Sequence, residues 1–278
     1  MDALDKNTCS RTKLIKERFE LMTKRAETLH VRKDTDALKL ANEDKYIRIC
    51  GESYRGVSLN DKSPLIGIGD GAKKSETVLK HFKEKQAKIL PDKVWKSKEE
   101  RRVQAWLIKQ ALTNHRSLLV PLGLKSHFEE LLFCLDEVSL GDNKHERDDS
   151  QDRPKIVRSD ILALGLRGGE YFPVLIELKY KRELDRLIDQ LDNFIHDITC
   201  NSSVKDVFKN LLRTCSGVKE TATLSNDFMK IIVWPKSKNP LKSTIEKLNS
   251  KGVLEIEYEF SEDEYNDIGK WAFTSRRH

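Results

Sequence analysis

Apolar and polar residues alternate regularly over the last two-thirds of the chain, and the period changes between that of a helix and that of a strand. Within residues 182–198, Leu184, Leu187, Ile188 and Leu191 stand at i, i+3, i+4 and i+7, which predicts an amphipathic helix. Short apolar runs bounded by turn-forming residues predict strands. The predicted order is helix 96–112, strands 130–138, 156–164 and 172–180, helices 182–198 and 203–214, strand 228–234, helix 240–249 and strand 253–260. This order predicts an α/β fold with a central mixed sheet flanked by helices.

Two of these strands are separated by the glycine pair in RGGEY (167–171), which predicts a β-hairpin. Successive side chains of a strand point to opposite faces. In the second strand of this hairpin, Leu175, Glu177 and Lys179 therefore share one face, while the opposite face is apolar. One face packs, and the other presents an acid and an amine at the end of an apolar run.

The first ninety residues follow a different pattern. Residues 46–69 contain short strand-prone runs between turn formers, and IGIGDGAKKSET (66–77) predicts a turn before a helix at 74–89. A phosphate-binding loop is the alternative for its G-x-G-x-G, although the usual G-K-[ST] ending is missing. We expect an N-terminal α+β extension over 1–90 and a core over 91–278. A first amphipathic helix is predicted at 13–29, with an apolar face of Leu14, Phe19, Leu21, Met22 and Leu29.

Composition narrows the class of protein. Apolar residues make up 38% of the chain and charged residues 35%, and no apolar run approaches the 18 residues of a membrane span. With no charged-then-apolar leader at the N-terminus, we expect a soluble, cytoplasmic protein without membrane association. The five scattered cysteines contain no C-x-x-C pair, so neither a disulfide framework nor a structural zinc site is indicated. The net charge of +6 permits a polyanionic partner without requiring one.

Asp160 lies on the partner strand of the hairpin, where apolar residues follow it directly. If the two strands pair in a suitable register, Asp160 and Glu177 converge to hold a divalent cation. Magnesium ions prefer oxygen ligands and keep several waters. A bound cation activates water and neutralises phosphate charge, and Lys179 beside it can orient that water. The alternative is an ordinary charge pattern at the solvated end of an edge strand, with Asp160 or Arg158 facing Glu177.

These residues resemble the signature of the PD-(D/E)XK nuclease superfamily, which has the restriction-endonuclease-like fold. Ser159-Asp160 is followed by sixteen residues and then by Glu177-Leu178-Lys179. The resemblance implies that Asp160, Glu177 and the Leu178 carbonyl bind Mg²⁺ or Mn²⁺, and that Lys179 serves the attacking water. Ser159 stands where the signature's name has proline. The resemblance covers residues 95 to 260.

Four further residues enter through the same resemblance. The first core helix of the superfamily often supplies another acid, for which Glu99 and Glu100 are both candidates. First-turn glutamates also favour the helix dipole without any catalytic duty. RecB-type members carry a glutamine followed four residues later by an aromatic residue. Gln190 and Phe194 match this spacing, with phenylalanine where tyrosine is usual.

The predicted function is that of a metal-dependent nuclease that hydrolyses phosphodiester bonds in DNA, in repair, restriction or defence against mobile elements. The alternative is a catalytically inactive nuclease fold that serves as a DNA-binding or protein-assembly module. A homodimer or a protein partner on the N-terminal region is the further expectation. Basic residues near the predicted elements are candidates for phosphate contacts. They are Lys96, Lys98, Arg101, Arg102, Lys181, Arg182, Arg186, Lys236 and Lys238.

Overall fold

The computed structural model describes residues 3–29, 46–49, 66–67, 73–74, 99–140, 157–182, 184, 187–237, 242–260 and 271–275. Its helices are α1 (Ala3–Leu29), α2 (Glu99–Thr113), α3 (Leu187–Thr199), α4 (Ser202–Ser216) and α5 (Lys242–Ser250). Its strands are β1 (Tyr46–Ile49), β2 (Ile66–Gly67), β3 (Lys73–Lys74), β4 (Glu130–Leu140), β5 (Val157–Arg167), β6 (Glu170–Leu178), β7 (Met229–Pro235), β8 (Val253–Phe260) and β9 (Trp271–Ser275). No helix in these ranges is long and apolar enough to span a membrane.

Strands β4 to β9 form one mixed sheet in the order β4-β5-β6-β7-β8-β9. The strands β4, β5 and β6 are antiparallel neighbours, β6, β7 and β8 are parallel, and β9 is antiparallel to β8. The hairpin between β5 and β6 turns at Gly168 and Gly169, whose φ angles are 61° and 78°. Two successive positive φ angles are those of a type I′ turn, and the turn confirms the hairpin that the glycine pair predicted.

Helices cover both faces of this sheet, which confirms the predicted mixed α/β layout. On one face, α1, α3, α4 and α5 pack over a core that includes Leu162, Leu175 and Trp234. On the other face, α2 and the loop before β4 pack over a second core that includes Ile176 and Tyr258. The central strands β6 and β7 are therefore buried from both sides.

Helix α1 extends the predicted helix 13–29 and packs on α4. The Phe19 and Phe208 rings lie 5.2 Å apart, and Arg11 pairs with Asp197 of α3 at 2.6 Å. Leu21 was predicted on the apolar face, and this prediction was wrong because the side chain is 48% exposed. Among the side chains of this helix that the structure describes, the buried ones are Ile15, Phe19, Met22, Thr23 and Ala26. The domain boundary at residue 90 stays a prediction.

The other N-terminal elements are short. β1 pairs with β2 and with β3 in a small antiparallel sheet. Lys74 belongs to β3 rather than to the predicted helix 74–89, and 75–89 lie outside the described residues, as do 68–72 of the glycine-rich segment.

In the core, α3 begins at Leu187 instead of the predicted residue 182, because Arg182 is held by contacts to β7 and β8. Strand β9 was not predicted.

Candidate active site at the β5–β6 hairpin

The register of β5 and β6 places Asp160 beside Glu177. Ile161 pairs with Ile176 and Leu162 with Leu175, so the next position of the same register sets Asp160 opposite Glu177. Directly opposite residues of antiparallel strands have Cβ atoms about 4.5–5.5 Å apart on the same face of the sheet. The face is that of Leu162 and Leu175, as the alternation in β6 predicted.

Direct contacts join the three predicted catalytic residues. The Leu178 amide donates to Asp160 Oδ2 at 2.7 Å, and Lys179 Nζ donates to Glu177 Oε1 at 2.6 Å. The Glu177 side chain is 3% exposed and that of Lys179 is 27% exposed. Asp160 is partly buried. The acid of β6 is therefore enclosed by protein, while the amine beside it reaches solvent.

Three further contacts fix the backbone of these residues. Gln104 Nε2 of α2 donates to the Asp160 carbonyl at 2.9 Å. The Lys179 amide donates to the Val233 carbonyl at 2.9 Å, and the Tyr258 hydroxyl donates to the Lys179 carbonyl at 3.2 Å. Neither Gln104 nor Tyr258 was among the site residues predicted from the sequence. The one local signal was Gln104, a polar residue at a buried position between Val103 and Leu107 on α2.

The electrostatics of the site disfavour ionisation of its acids. Burial raises the pKa of Asp160 well above its ordinary value, and the charges of Glu177 and Glu100 add to this, although Lys179 and the Leu178 amide act in the opposite direction. Burial also raises the pKa of Glu177, again against the opposing effect of Lys179. Acids with raised pKa values that cluster in one place are typical of functional sites.

Lys179 keeps its proton. Burial lowers the pKa of its ammonium, but the charges of Glu177 and Asp160 and the hydrogen bond to Glu177 outweigh burial, so the pKa lies above its ordinary value. A lysine in this state is a cation and a hydrogen-bond donor at neutral pH. It is not a base.

The outcome differs among the other predicted site residues. Glu100, near the start of α2, is partly buried and lies close enough for its charge to raise the pKa of both Asp160 and Glu177. Glu99 begins α2, and its side chain lies outside the described part of the chain. Gln190 lies in the first turn of α3 and is partly buried. Phe194 packs in the core, fully buried, so it is not available to contact nucleic acid.

The site offers the ligands that a hard cation requires. Glu177 Oε2 is buried and has no hydrogen-bond partner among the described residues, which is the condition of an oxygen that a cation would satisfy. Within the same residues no three His, Cys, Asp or Glu side chains form a group that could hold a metal ion. If a cation binds here, Asp160, Glu177 and the Leu178 carbonyl are the groups that could hold it, together with water. Magnesium is commonly bound in this way, through one or two carboxylates.

A second cluster of buried charge lies just beyond the site. Arg182 forms ion pairs with Glu257 at 2.6 Å and with Glu255, and its guanidinium lies 4.3 Å from the centre of the Trp234 ring. Both glutamates are almost fully buried on β8. Arg182 was one of the candidates for a phosphate contact, and its guanidinium is instead engaged by these two glutamates. Lys236, another candidate, pairs with the exposed Glu259 at 2.9 Å.

Comparisons with protein-family models, with curated proteins and with solved structures found no match for this chain.

Proposed function

We propose that the chain is a metal-dependent nuclease with a restriction-endonuclease-like core, and that Asp160, Glu177 and Lys179 hydrolyse phosphodiester bonds in DNA. One observation carries the proposal. Two acids and a lysine from adjacent strands meet at one end of a buried hairpin, and one oxygen of the buried acid, Glu177 Oε2, lacks a partner among the described residues. Burying such groups is costly, so a fold that needed only stability has no reason to keep them together.

The two carboxylates supply the anionic oxygens of the proposed site. The Leu178 amide holds Asp160 Oδ2, and the contact from Gln104 holds the backbone of the same residue, so this acid is fixed before any ligand arrives. Glu177 has one oxygen committed to Lys179 and the other without a partner among the described residues. A divalent cation held by these acids and the Leu178 carbonyl would neutralise phosphodiester charge and lower the pKa of water.

Lys179 acts as a donor in this proposal. Its ammonium keeps its proton, so it can donate a hydrogen bond to the attacking water or to a phosphate oxygen and can stabilise the negative charge that develops there. Its backbone is held from both sides by Val233 and Tyr258, which fixes the position from which the side chain reaches. Fixed donors of this kind need no reorganisation during the reaction.

The first test is cleavage of supercoiled plasmid and of single-stranded DNA in the presence of Mg²⁺ or Mn²⁺. The wild-type protein should cut, and Asp160→Asn and Lys179→Ala should each reduce the rate by about 100-fold or more, the loss expected when one preorganised electrostatic group is removed. Asp160→Asn keeps an acceptor for the Leu178 amide, so it removes charge rather than the hydrogen bond. Glu246→Gln, on the exposed face of α5, is the control and should cut like the wild type.

Cleavage that survives both substitutions would contradict the site assignment. If wild type, control and variants all fail to cut every substrate, the alternative is favoured, namely a nuclease fold used as a DNA-binding or protein-assembly module. A binding measurement on the same DNA then separates these two roles.

A further inference from the structure

Tyr180 is an exposed aromatic residue directly after Lys179. Its side chain is 54% exposed, and among the described residues only Leu21 and Val120 are large apolar side chains of comparable exposure. Single exposed apolar side chains are common on protein surfaces and by themselves indicate nothing. Tyr180 differs from the other two because it is bonded to the lysine of the proposed site.

The chain is anchored on both sides of Tyr180, through the backbone of Lys179 and through the side chain of Arg182. Lys179 is held by the Val233 carbonyl and the Tyr258 hydroxyl. Two residues further on, Arg182 donates to the Pro235 carbonyl at 3.2 Å and is anchored by the buried Glu255 and Glu257. The segment 179–182 is thus fixed to β7 and β8 while the Tyr180 ring stays in solvent. A ring presented in this way loses little conformational entropy when a ligand stacks on it.

Positive charge accompanies the ring. The Lys181 ammonium lies 5.4 Å from the centre of the Tyr180 ring, and Lys179 precedes it in the chain. An aromatic face next to lysines is the combination with which proteins bind single-stranded nucleic acids, because bases stack on the ring and phosphates contact the cations. In a duplex, neighbouring base pairs cover the faces of each base. A ring at this place therefore stacks most readily on an unpaired base.

We propose that Tyr180 is a stacking platform for an unpaired nucleobase next to the bond that the site cuts, so that the substrate is single-stranded DNA or a DNA end with unpaired bases. The inference rests on the proposed function, since it assigns the substrate class of the same site. Lys181 supplies charge for the phosphate beside the stacked base. Duplex DNA without unpaired bases is the poorer ligand.

Binding of fluorescein-labelled oligothymidine by the full chain, followed by fluorescence anisotropy in EDTA, tests the platform without any need for cleavage. Tyr180→Ala should weaken binding about tenfold, within the range measured for a stacked base, while Tyr180→Phe should bind like the wild type. Val120→Ala, which removes another exposed apolar side chain, is the control and should leave affinity unchanged. An oligomer of equal charge with abasic residues in place of thymidine should bind wild type and Tyr180→Ala alike.

Three results would overturn the platform. The first is equal affinity of Tyr180→Ala and wild type for oligothymidine. The second is a loss of affinity for the duplex or the abasic oligomer as large as the loss for oligothymidine. The third is failure of the wild type to bind oligothymidine at all. The plasmid and single-strand cleavage assay separates this outcome from failure of the nuclease proposal. If the wild type cleaves DNA but Tyr180→Ala does not change the binding of oligothymidine, the platform is wrong and the nuclease proposal stands. If Tyr180→Ala weakens binding as expected but no cleavage is seen, the nuclease proposal is wrong and the platform stands.

Discussion

Burial of Asp160 and Glu177 is electrostatically unfavourable, and the same two acids are the ones that we propose to be catalytic. Burial raises the pKa of both acids, and each also lies near Glu100, whose negative charge acts in the same direction. The cost is tolerated because Lys179 and the Leu178 amide offset part of it. Groups placed at a functional site commonly reduce stability in this way.

The pH dependence of stability follows from these shifts. The pKa of an aspartate in an unfolded chain is about 3.9. The pKa of Asp160 is raised in the folded state, so protonation of this residue favours folding. This contribution to stability is fully present below the pKa of the unfolded chain and is lost as the pH rises through the pKa of the folded state. At a pH high enough to ionise Asp160, its charge therefore destabilises the fold relative to an uncharged side chain of the same shape.

Asp160→Asn should accordingly be more stable than the wild type at pH 7 in EDTA, by about 1 kcal/mol, and the difference should vanish near pH 4. Urea unfolding at the two pH values measures it. Glu246→Gln removes an exposed carboxylate instead, 66% accessible on α5, and should change stability by less than about 0.5 kcal/mol at either pH. A less stable Asp160→Asn at pH 7, or a gap that does not depend on pH, would contradict the assigned electrostatics.

Individual residues also show which contacts a local sequence pattern can predict and which it cannot. The alternation in β6 was sufficient to place Glu177 and Lys179 on one face, whereas their approach to Asp160 depended on a strand register that the sequence left open. A local sequence pattern could not predict the role of Arg182, because its partners Glu255 and Glu257 are more than seventy residues away in sequence. Tyr258, which holds the Lys179 carbonyl, is equally distant. Contacts of this range depend on how strands neighbour one another, which no local window contains.

At the scale of elements, the strands and helices of the core were largely predictable. The glycine pair at 168 and 169 fixed the hairpin, and apolar periods located α4, β7 and β8 to within two residues. Strand β9 was missed because five residues at an edge of the sheet, paired only with β8, carry too short a pattern. The start of α3 was misplaced because residue 182 belongs by composition to the helix but by its contacts to the sheet.

Helix α1 shows the limit of an apolar pattern read by residue type alone. Ile15, Phe19, Met22 and Ala26 recur at intervals of four, three and four residues and form the buried stripe. Leu21 lies two residues from Phe19, which is about 200° around the helix, and is exposed for that reason. Spacing, rather than hydrophobicity, decides which side chain faces α4.

Phe19→Ala should destabilise the protein by about 3–5 kcal/mol, because it empties a fully buried position in the contact with Phe208. Leu21→Ala, two residues away on the same helix, should cost less than about 1 kcal/mol. Urea unfolding of both variants measures the difference. Equal stability of the two variants would mean that α1 does not pack in the core, and that the N-terminal region is separate from it.

At the scale of the whole molecule, the sheet joins parts of the chain that lie far apart in sequence. Helix α2 brings Gln104 and Glu100 to β5 from the opposite layer, and β7 and β8 hold Lys179 and Arg182 from the other side. The sequence predicted the acids and the lysine of this assembly. The scaffold that holds them became visible only in the folded chain.

The most direct measurement is X-ray diffraction from crystals soaked in Mn²⁺, with an anomalous difference map. The account predicts one strong peak about 2.0–2.5 Å from oxygens of both Asp160 and Glu177, and no such peak in crystals of Asp160→Asn. A map without density between these carboxylates, or a peak that persists in Asp160→Asn, would contradict the claim that the β5–β6 hairpin is a metal-dependent catalytic site.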